Sequence, residues 1–375
     1  MPAVCPGGPR SESSCATPDK TRPHRGVLPN RATYLVLAKC LFVSSLLALT
    51  GCVVIAGCQS TGGPAGLDPD NTSYKRMITQ GRAKVIIENL HDCASKNSNH
   101  RISAVGQITA TDGTVITVPA ETAFQKGLGP LASDLYNDCT PVTPKNSAEI
   151  TTDKVPVIEV DADGEVITGF IMADNYYELY VNGKLVSVDN MPYSPFNSTI
   201  VRFKVKRPYT LAFLLVDWEE HPGLSMERFP RGPKGNLWHP GDGGLVARFS
   251  DGTVTDSSWK AQSFYIAPLN DPKEVVERGN VHDTPGLGGR MHPFAKLPDC
   301  QDKCYAVHYP IPANWQSPRF NDLNWPRAWE FTDDDIGVNN MPGYTRYPDL
   351  FAGARWIWTV NLVFDNVVIA RKSVR

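Results

Sequence analysis

No basic run interleaved with aromatic side chains occurs in the 375 residues, and the formal net charge is only −2. A surface that tracks phosphates is therefore not expected, which argues against a nucleic-acid partner. Coiled-coil heptads, internal repeats and glycine-rich nucleotide loops are missing as well, and long helical periodicity is scarce. The nucleophile elbow Gly-x-Ser-x-Gly is absent, and none of the eight histidines has His-x-His or His-Glu-x-x-His spacing. What fills the space is punctuation: 31 prolines and 30 glycines break the chain into short pieces. That pattern predicts an all-β chain with many turns.

The most telling segment is Leu49-Thr50-Gly51-Cys52, a lipobox at the end of an uncharged run from Cys40 to Cys58 that follows Lys39. A positive flank, an apolar core and small residues before a cysteine read as a secretory lipoprotein signal. The thiol would carry acyl chains into the lipid bilayer, each buried methylene contributing roughly 0.8 kcal/mol. A second such site, Ile55-Ala56-Gly57-Cys58, follows; Cys52 is preferred for its distance from Lys39. The competing reading is a membrane-spanning anchor, for which the run is near the minimum of about 20 residues. Export fits the remaining cysteines, since past the lipoboxes only Cys93, Cys139, Cys300 and Cys304 are left, an even number in an oxidising compartment. Three pairings exist. Cys93 with Cys139 and Cys300 with Cys304 is favoured, each pair then lying within one expected domain; a metal half-site at Cys300 and Cys304, completed by His292 and His308, is the rival.

The expected organisation is a signal segment over 1–58, a Gly/Pro/Ser-rich tether over 59–81, a small β-rich unit over 82–150 and an antiparallel β-sandwich over 151–375, with an inserted loop at 271–309. Gln107 to Val118 reads as a hairpin turned by Asp112-Gly113, and Val157 to Phe170 as another turned by Asp163-Gly164. The second only superficially resembles a calcium loop, because it lacks the distal bidentate glutamate. Ile200 to Lys206 alternates Val201, Phe203 and Val205 with cationic residues, the pattern of a half-buried strand. Tyr209 to Val216 is apolar on both faces, as a central strand would be. Trp356 to Trp358 and Val367 to Ala370 supply closing strands.

The run Ala173-Asp174-Asn175-Tyr-Tyr-Glu-Leu-Tyr-Val-Asn182-Gly183 resembles the strand-turn-strand of galactose-binding-like jelly rolls, especially the accessory sandwich of bacterial α-L-rhamnosidases. Further pieces match in order: Asp251 to Lys260 around Trp259, then Ala267-Pro268, then Phe320 to Ala328 around Trp325, then Ala354 to Trp358. The resemblance covers 155–375 in patches and departs after Asn270. It implies a jelly-roll sandwich with a sugar-related role and supplies no catalytic residue, since the family's acidic machinery sits in a separate helical barrel for which nothing here has the periodicity. Trp259 and Trp325 are expected core plugs.

The densest polar and aromatic stretch is Asp217-Trp218-Glu219-Glu220-His221, followed by Trp238-His239-Pro-Gly-Asp242. On a jelly roll such loops project from strand ends. Trp218, Glu219, Trp238, His239 and Asp242 are therefore the candidate ligand-binding residues: an indole face stacks on a sugar ring while carboxylates accept its hydroxyls. The opposing reading makes Trp218 a core tryptophan at the end of a buried strand, leaving Trp238 and His239 as the exposed pair. Asp217 and Glu219 share a face if the segment is a strand, which permits but does not support a glycosidase pair. A structural calcium ion at Asp333-Asp334-Asp335 is left open against a plainly solvated trio. The expectation is a non-catalytic binder of carbohydrate or another envelope ligand, with an envelope adaptor and a glycoside-active enzyme as alternatives.

Overall fold

The computed structural model describes residues 74–91, 102–137, 139, 144–193, 197–228, 238–287, 298 and 300–375. From the N-terminal side come strands β1 (Met77–Gln80), β2 (Lys84–Ile87), β3 (Val105–Thr109), β4 (Val115–Val118) and β5 (Ser133–Tyr136). The middle supplies β6 (Val157–Glu159), β7 (Glu165–Asp174), β8 (Tyr176–Val181), β9 (Lys184–Val188), β10 (Ser198–Val205) and β11 (Tyr209–Val216). Then follow β12 (Glu227–Arg228), β13 (Trp238–His239), β14 (Gly244–Phe249), β15 (Lys260–Leu269), β16 (Val276–Arg278) and β17 (Val281–Asp283). The chain closes with β18 (Tyr305–His308), β19 (Trp329–Phe331), β20 (Trp356–Trp358) and β21 (Asp365–Val374).

These strands build the expected antiparallel β-sandwich. One sheet is ordered β1-β18-β15-β21-β11-β8-β9 and the other β19-β20-β14-β7-β10-β5, with β6 alongside β10. Consecutive strands repeatedly change sheet: β7 passes to β8 through Asn175 alone, and β10 to β11, β14 to β15 and β20 to β21 do the same. Each crossing places two inner faces opposite one another, where Phe203, Phe249, Tyr209, Phe213 and Trp259 meet in an aromatic core.

Strand β11 is buried along its whole length, as its unbroken apolar run predicts. Its inner face meets the second sheet, and its outer face lies under the segment that precedes β19. Arg371, opposite Ala212 in the neighbouring β21, fastens that cover by donating to Asp322 Oδ2 at 2.7 Å and to the carbonyls of Trp315 and Ser317. Trp315 in turn meets Tyr180 of β8 edge to face at 5.1 Å. Trp259 and Trp325, 0% and 3% exposed, are core plugs.

Two expected hairpins differ in outcome. Asp112-Gly113 does turn β3 into β4, with Gly113 at φ 88°, and Asn182-Gly183 turns β8 into β9 through two positive φ angles, 50° and 86°. Asp163-Gly164 does not make a hairpin. β6 pairs with β10 in parallel and β7 pairs with β10 antiparallel, so the chain wraps around the end of β10 instead of folding back on itself. Gly164 is needed for the close approach, because a Cβ there would lie 2.3 Å from the Val205 backbone.

The expected boundaries also shift. Strand β1 falls inside the stretch read as a tether and pairs with β18, which lies inside the stretch read as an inserted loop. From the 82–150 stretch, β5 joins the second sheet, and Val105, Ala120, Ala123 and Ala132 enter the main core. Short strands escaped notice because four residues of mixed polarity carry too little alternation to register. Cys300 and Cys304 form the expected disulfide across one short 3-10 turn. Cys139 is disulfide-bonded; Cys93, His292, Cys52 and Cys58 lie outside the described residues. No helix among the described residues is long and apolar enough to cross a membrane.

Candidate functional site

The residues that follow β11 are drawn inward. Asp217 N–H continues the ladder by donating to the Asn366 carbonyl at 2.8 Å, and Trp218 N–H donates to Asn175 Oδ1 at 2.5 Å. Trp218 is 0% exposed, meets Tyr176 edge to face at 5.9 Å and gives its indole N–H to the Ala104 carbonyl at 3.0 Å. It is a plug that ties a small three-stranded sheet, ordered β2-β3-β4, to the sandwich, so its faces are closed to a ligand. Glu219 is buried beneath Gly241, where a side-chain Cβ would fall 1.6 Å from Glu219 Oε1.

His239 corrects the expectation of an exposed pair: it is buried, its Nδ1 donating to the Pro240 carbonyl at 2.8 Å while Nε2 lies 3.5 Å from Glu227 Oε1. The two-residue pairing of β12 with β13 sets His239 opposite Glu227 and pulls the ring inward. Trp238 is half-buried, edge-on to His221 at 5.2 Å and 5.9 Å from the Arg82 guanidinium. His221 pairs with Asp302 at 2.9 Å inside the disulfide turn, and burial pulls its imidazole below the ordinary histidine range. Asp242 is half-buried. Because 217–219 is not a strand, the shared face proposed for Asp217 and Glu219 does not arise. The five candidates thus cluster by sequence, and most of them are packed within the fold.

An open site lies elsewhere, in the excursion between β19 and β20. Thr332 starts helix α1 (Asp333–Ile336) with a reciprocal cap: Thr332 Oγ1 accepts from Asp335 N–H at 3.2 Å, and Asp335 Oδ2 accepts from Thr332 N–H at 2.8 Å. Gly337 ends the helix at φ 77°, a conformation that suits glycine. Helix α2 (Pro342–Thr345) follows and brings Tyr344 back over the sheet. Tyr347 pins the excursion from below, its hydroxyl lying 3.1 Å from the Leu135 carbonyl and 2.7 Å from that of Pro144. Arg248 of β14 holds the far side by donating to the Asp349 carbonyl at 2.8 Å.

Between these walls is a cleft of about 810 Å³. Phe351, Tyr344 and Trp356 form an aromatic floor, with ring centroids 5.6 Å and 5.7 Å apart. Glu330, Asp333, Asp334, Asn339 and Arg355 stand around it. The Tyr344 hydroxyl donates to Asp333 Oδ1 at 3.0 Å, Asn339 donates to Asp334, and Glu330 Oε1 accepts the Ser257 N–H at 2.7 Å. Burial, reinforced by Asp333, pushes the Tyr344 hydroxyl up to about 12, so it remains a donor at any physiological pH. The acidic trio is thereby divided among a helix cap, an asparagine and a tyrosine, and no group of three His, Cys, Asp or Glu among the described residues is arranged to hold a metal ion.

The sequence drew attention to this segment only as a calcium candidate, and to Trp356 only as part of a strand. A usable signal was present in Thr332-x-x-Asp335 followed by Gly337 and Pro342, helix punctuation in an otherwise strand-forming chain. Fold and site together define an antiparallel sandwich with an acid-rimmed, aromatic-floored cleft at one sheet edge. No protein-family model, curated protein or solved structure matches this chain.

Proposed function

We propose that this chain is an exported, lipid-anchored β-sandwich of the bacterial envelope that binds carbohydrate without turning it over, and that the ligand occupies the cleft above Tyr344. One observation carries the reading: a cleft of about 810 Å³ in which the half-buried Tyr344 ring is surrounded by carboxylate, amide and guanidinium groups. Sugar rings need this combination, an apolar face to lie against and polar groups to receive hydroxyls. The alternation of consecutive strands between the two sheets supports a jelly-roll ancestry like that implied by the rhamnosidase resemblance. Anchoring is assigned to Cys52, with Cys58 as the second choice.

The test is a polysaccharide and glycan-array screen with the full chain, followed by thermal unfolding with each hit. A ligand at 100 times its dissociation constant should add about 2.7 kcal/mol of stability. Tyr344→Ala should abolish the response, whereas a Trp238→Ala response equal to wild type would keep the site at the cleft. Absence of any binder would move the assignment to an envelope adaptor. For the anchor, loss of lipid-analogue labelling in Cys52→Ala with Cys58→Ala is expected, and retained labelling would overturn it.

A further inference from the structure

We infer that the far edge of the sandwich binds one divalent cation of the calcium type, through the carboxylates of Asp134 and Asp189 and the amide oxygens of Asn190 and Asn197. The topology gathers these residues from three segments. Asp134 lies in β5 opposite Thr199 of β10, Asn197 directly precedes β10, and Asp189 and Asn190 directly follow β9. Asp189 is fixed from one sheet, its N–H donating to the Tyr177 carbonyl of β8 at 2.9 Å. The Tyr177 hydroxyl reaches the other sheet, 2.6 Å from Thr199 Oγ1, so both layers meet at this edge.

Asp189 is 1% exposed and has neutral partners only: its Oδ1 accepts from Met191 N–H at 3.0 Å and from Asn197 Nδ2 at 2.9 Å, and the Asn190 N–H adds a third donor. The neighbouring charge is a second carboxylate, Asp134, whose Oδ1 accepts from Asn190 Nδ2 at 2.5 Å. Among the described residues no lysine, arginine or histidine forms an ion pair with either acid. Without an ion, burial pushes the Asp189 carboxyl up to about 8, and Asp134 adds to the push.

The amides supply an independent sign. Asn197 is 1% exposed, yet its Oδ1 has no hydrogen-bond partner, and the buried Oδ1 of Asn190 has none either. A carboxylate only accepts, so each amide must turn its nitrogen toward the acid and leave its oxygen beside it without a donor. Buried acceptors left unmade are costly, and a proton on either acid would not meet them both. A hard cation does: calcium takes roughly six to eight oxygens from carboxylates, amides, carbonyls and water, in flexible geometry. Magnesium is smaller, holds its water and demands a stricter octahedron, so it fits less well. The set is distinct from the acidic trio of α1.

Titration calorimetry and thermal unfolding test this on the full chain in detergent, stripped with a chelator and then given calcium chloride or magnesium chloride. Calcium should bind at one ion per chain and, at about 100 times its dissociation constant, raise the melting temperature by about 5 °C, with a smaller rise from magnesium. Asp189→Asn keeps an oxygen for Met191 and Asn197 but removes the charge, and should abolish the rise. Asp134→Asn, at a half-buried position, should weaken calcium binding at least about tenfold and serves if the first variant fails to fold. Asp333→Asn with Asp334→Asn should respond as wild type. Absence of both calcium heat and a thermal shift overturns the site. So does a response that survives in Asp134→Asn at full affinity, or one that is lost in the Asp333 and Asp334 pair instead.

Discussion

The strand-end region around Trp218 and the cleft above Tyr344 are made from the same kinds of side chain, tryptophan, tyrosine and carboxylate, yet one is closed and the other open. At the closed end the rings are consumed by the fold: Trp218 ties β8, β11 and the small sheet together, and Glu219 lies under a glycine. At the open end Phe351 and Trp356 are equally well packed, 4% and 1% exposed, but Tyr344 stays half-buried, and two short helices, the first of them capped, hold the polar rim away from the sheet. Composition does not separate a plug from a platform. What separates them is whether the following chain is tied back onto the aromatic or braced at a distance from it.

The largest test of this contrast is Trp218→Ala. Removing a fully buried indole and its hydrogen bond to Ala104 should cost about 3–5 kcal/mol in urea unfolding. A loss below about 1 kcal/mol would mean that Trp218 is not a plug, and the distinction between the two ends would collapse.

Gly241→Ala sharpens the same point with a smaller effect. The added methyl would fall on Glu219 Oε1, and overpacking of this kind costs about 1–3 kcal/mol. Pairing it with Glu219→Ala should restore part of the loss, and a double-mutant cycle reads the coupling. Strict additivity would show that Glu219 is free to swing away.

The closed end also carries a pH signature. Burial pushes Asp365 up to about 7, although Thr359 donates to it, and pulls His308 down to about 3. Asp365, raised above its unfolded value, contributes stability that is fully present below pH 3.8 and is lost as pH rises through about 7. His308, lowered from 6.5, acts oppositely: its contribution is complete above pH 6.5 and is lost as pH falls toward about 3. Asp189, pushed up to about 8 by burial at the far edge of the sandwich, adds to this decline and extends it to about pH 8. Unfolding free energies from urea melts should fall between pH 5 and about 8 by up to about 1.4 kcal/mol per unit for each such acid, offset in part by His308 below pH 6.5, and level off above pH 8. Asp365→Asn should flatten the curve near neutrality, and an unchanged profile would place the loss on other groups.

Patterning made the sandwich legible because its long strands each bury a face that the sequence marks by alternation or by an unbroken apolar run, as in β10 and β11. It misjudged the Asp163-Gly164 turn because a tight turn and a wrap around a third strand both call for glycine; only the partner, Val205, distinguishes them. The cleft escapes the sequence reading for a related reason. The 217–242 stretch is dense in chemistry along the chain, but density along the chain follows from strand ends needing anchors. The cleft gathers Glu330, Tyr344 and Arg355 from an excursion whose residues look ordinary one by one, and its capping signal reads in sequence as an acidic trio, either solvated or holding a calcium ion.

The smallest expected effect tests whether the rim is truly braced. Thr332→Ala deletes one arm of the cap on α1, which typically costs about 1 kcal/mol. Asp335 would lose its partner hydroxyl, and the first turn, which carries Asp333 and Asp334 to the rim, would fray. Thr332→Ser keeps the oxygen and should behave as wild type. If the rim depends on the cap, Thr332→Ala weakens ligand-induced thermal stabilisation beyond its own cost in the free protein, because binding must then pull the frayed turn back into helix. Equal stabilisation in the alanine and serine variants would show that the walls stand on Tyr347 and Arg248 alone, a tyrosine reaching down from the excursion and an arginine reaching up from β14.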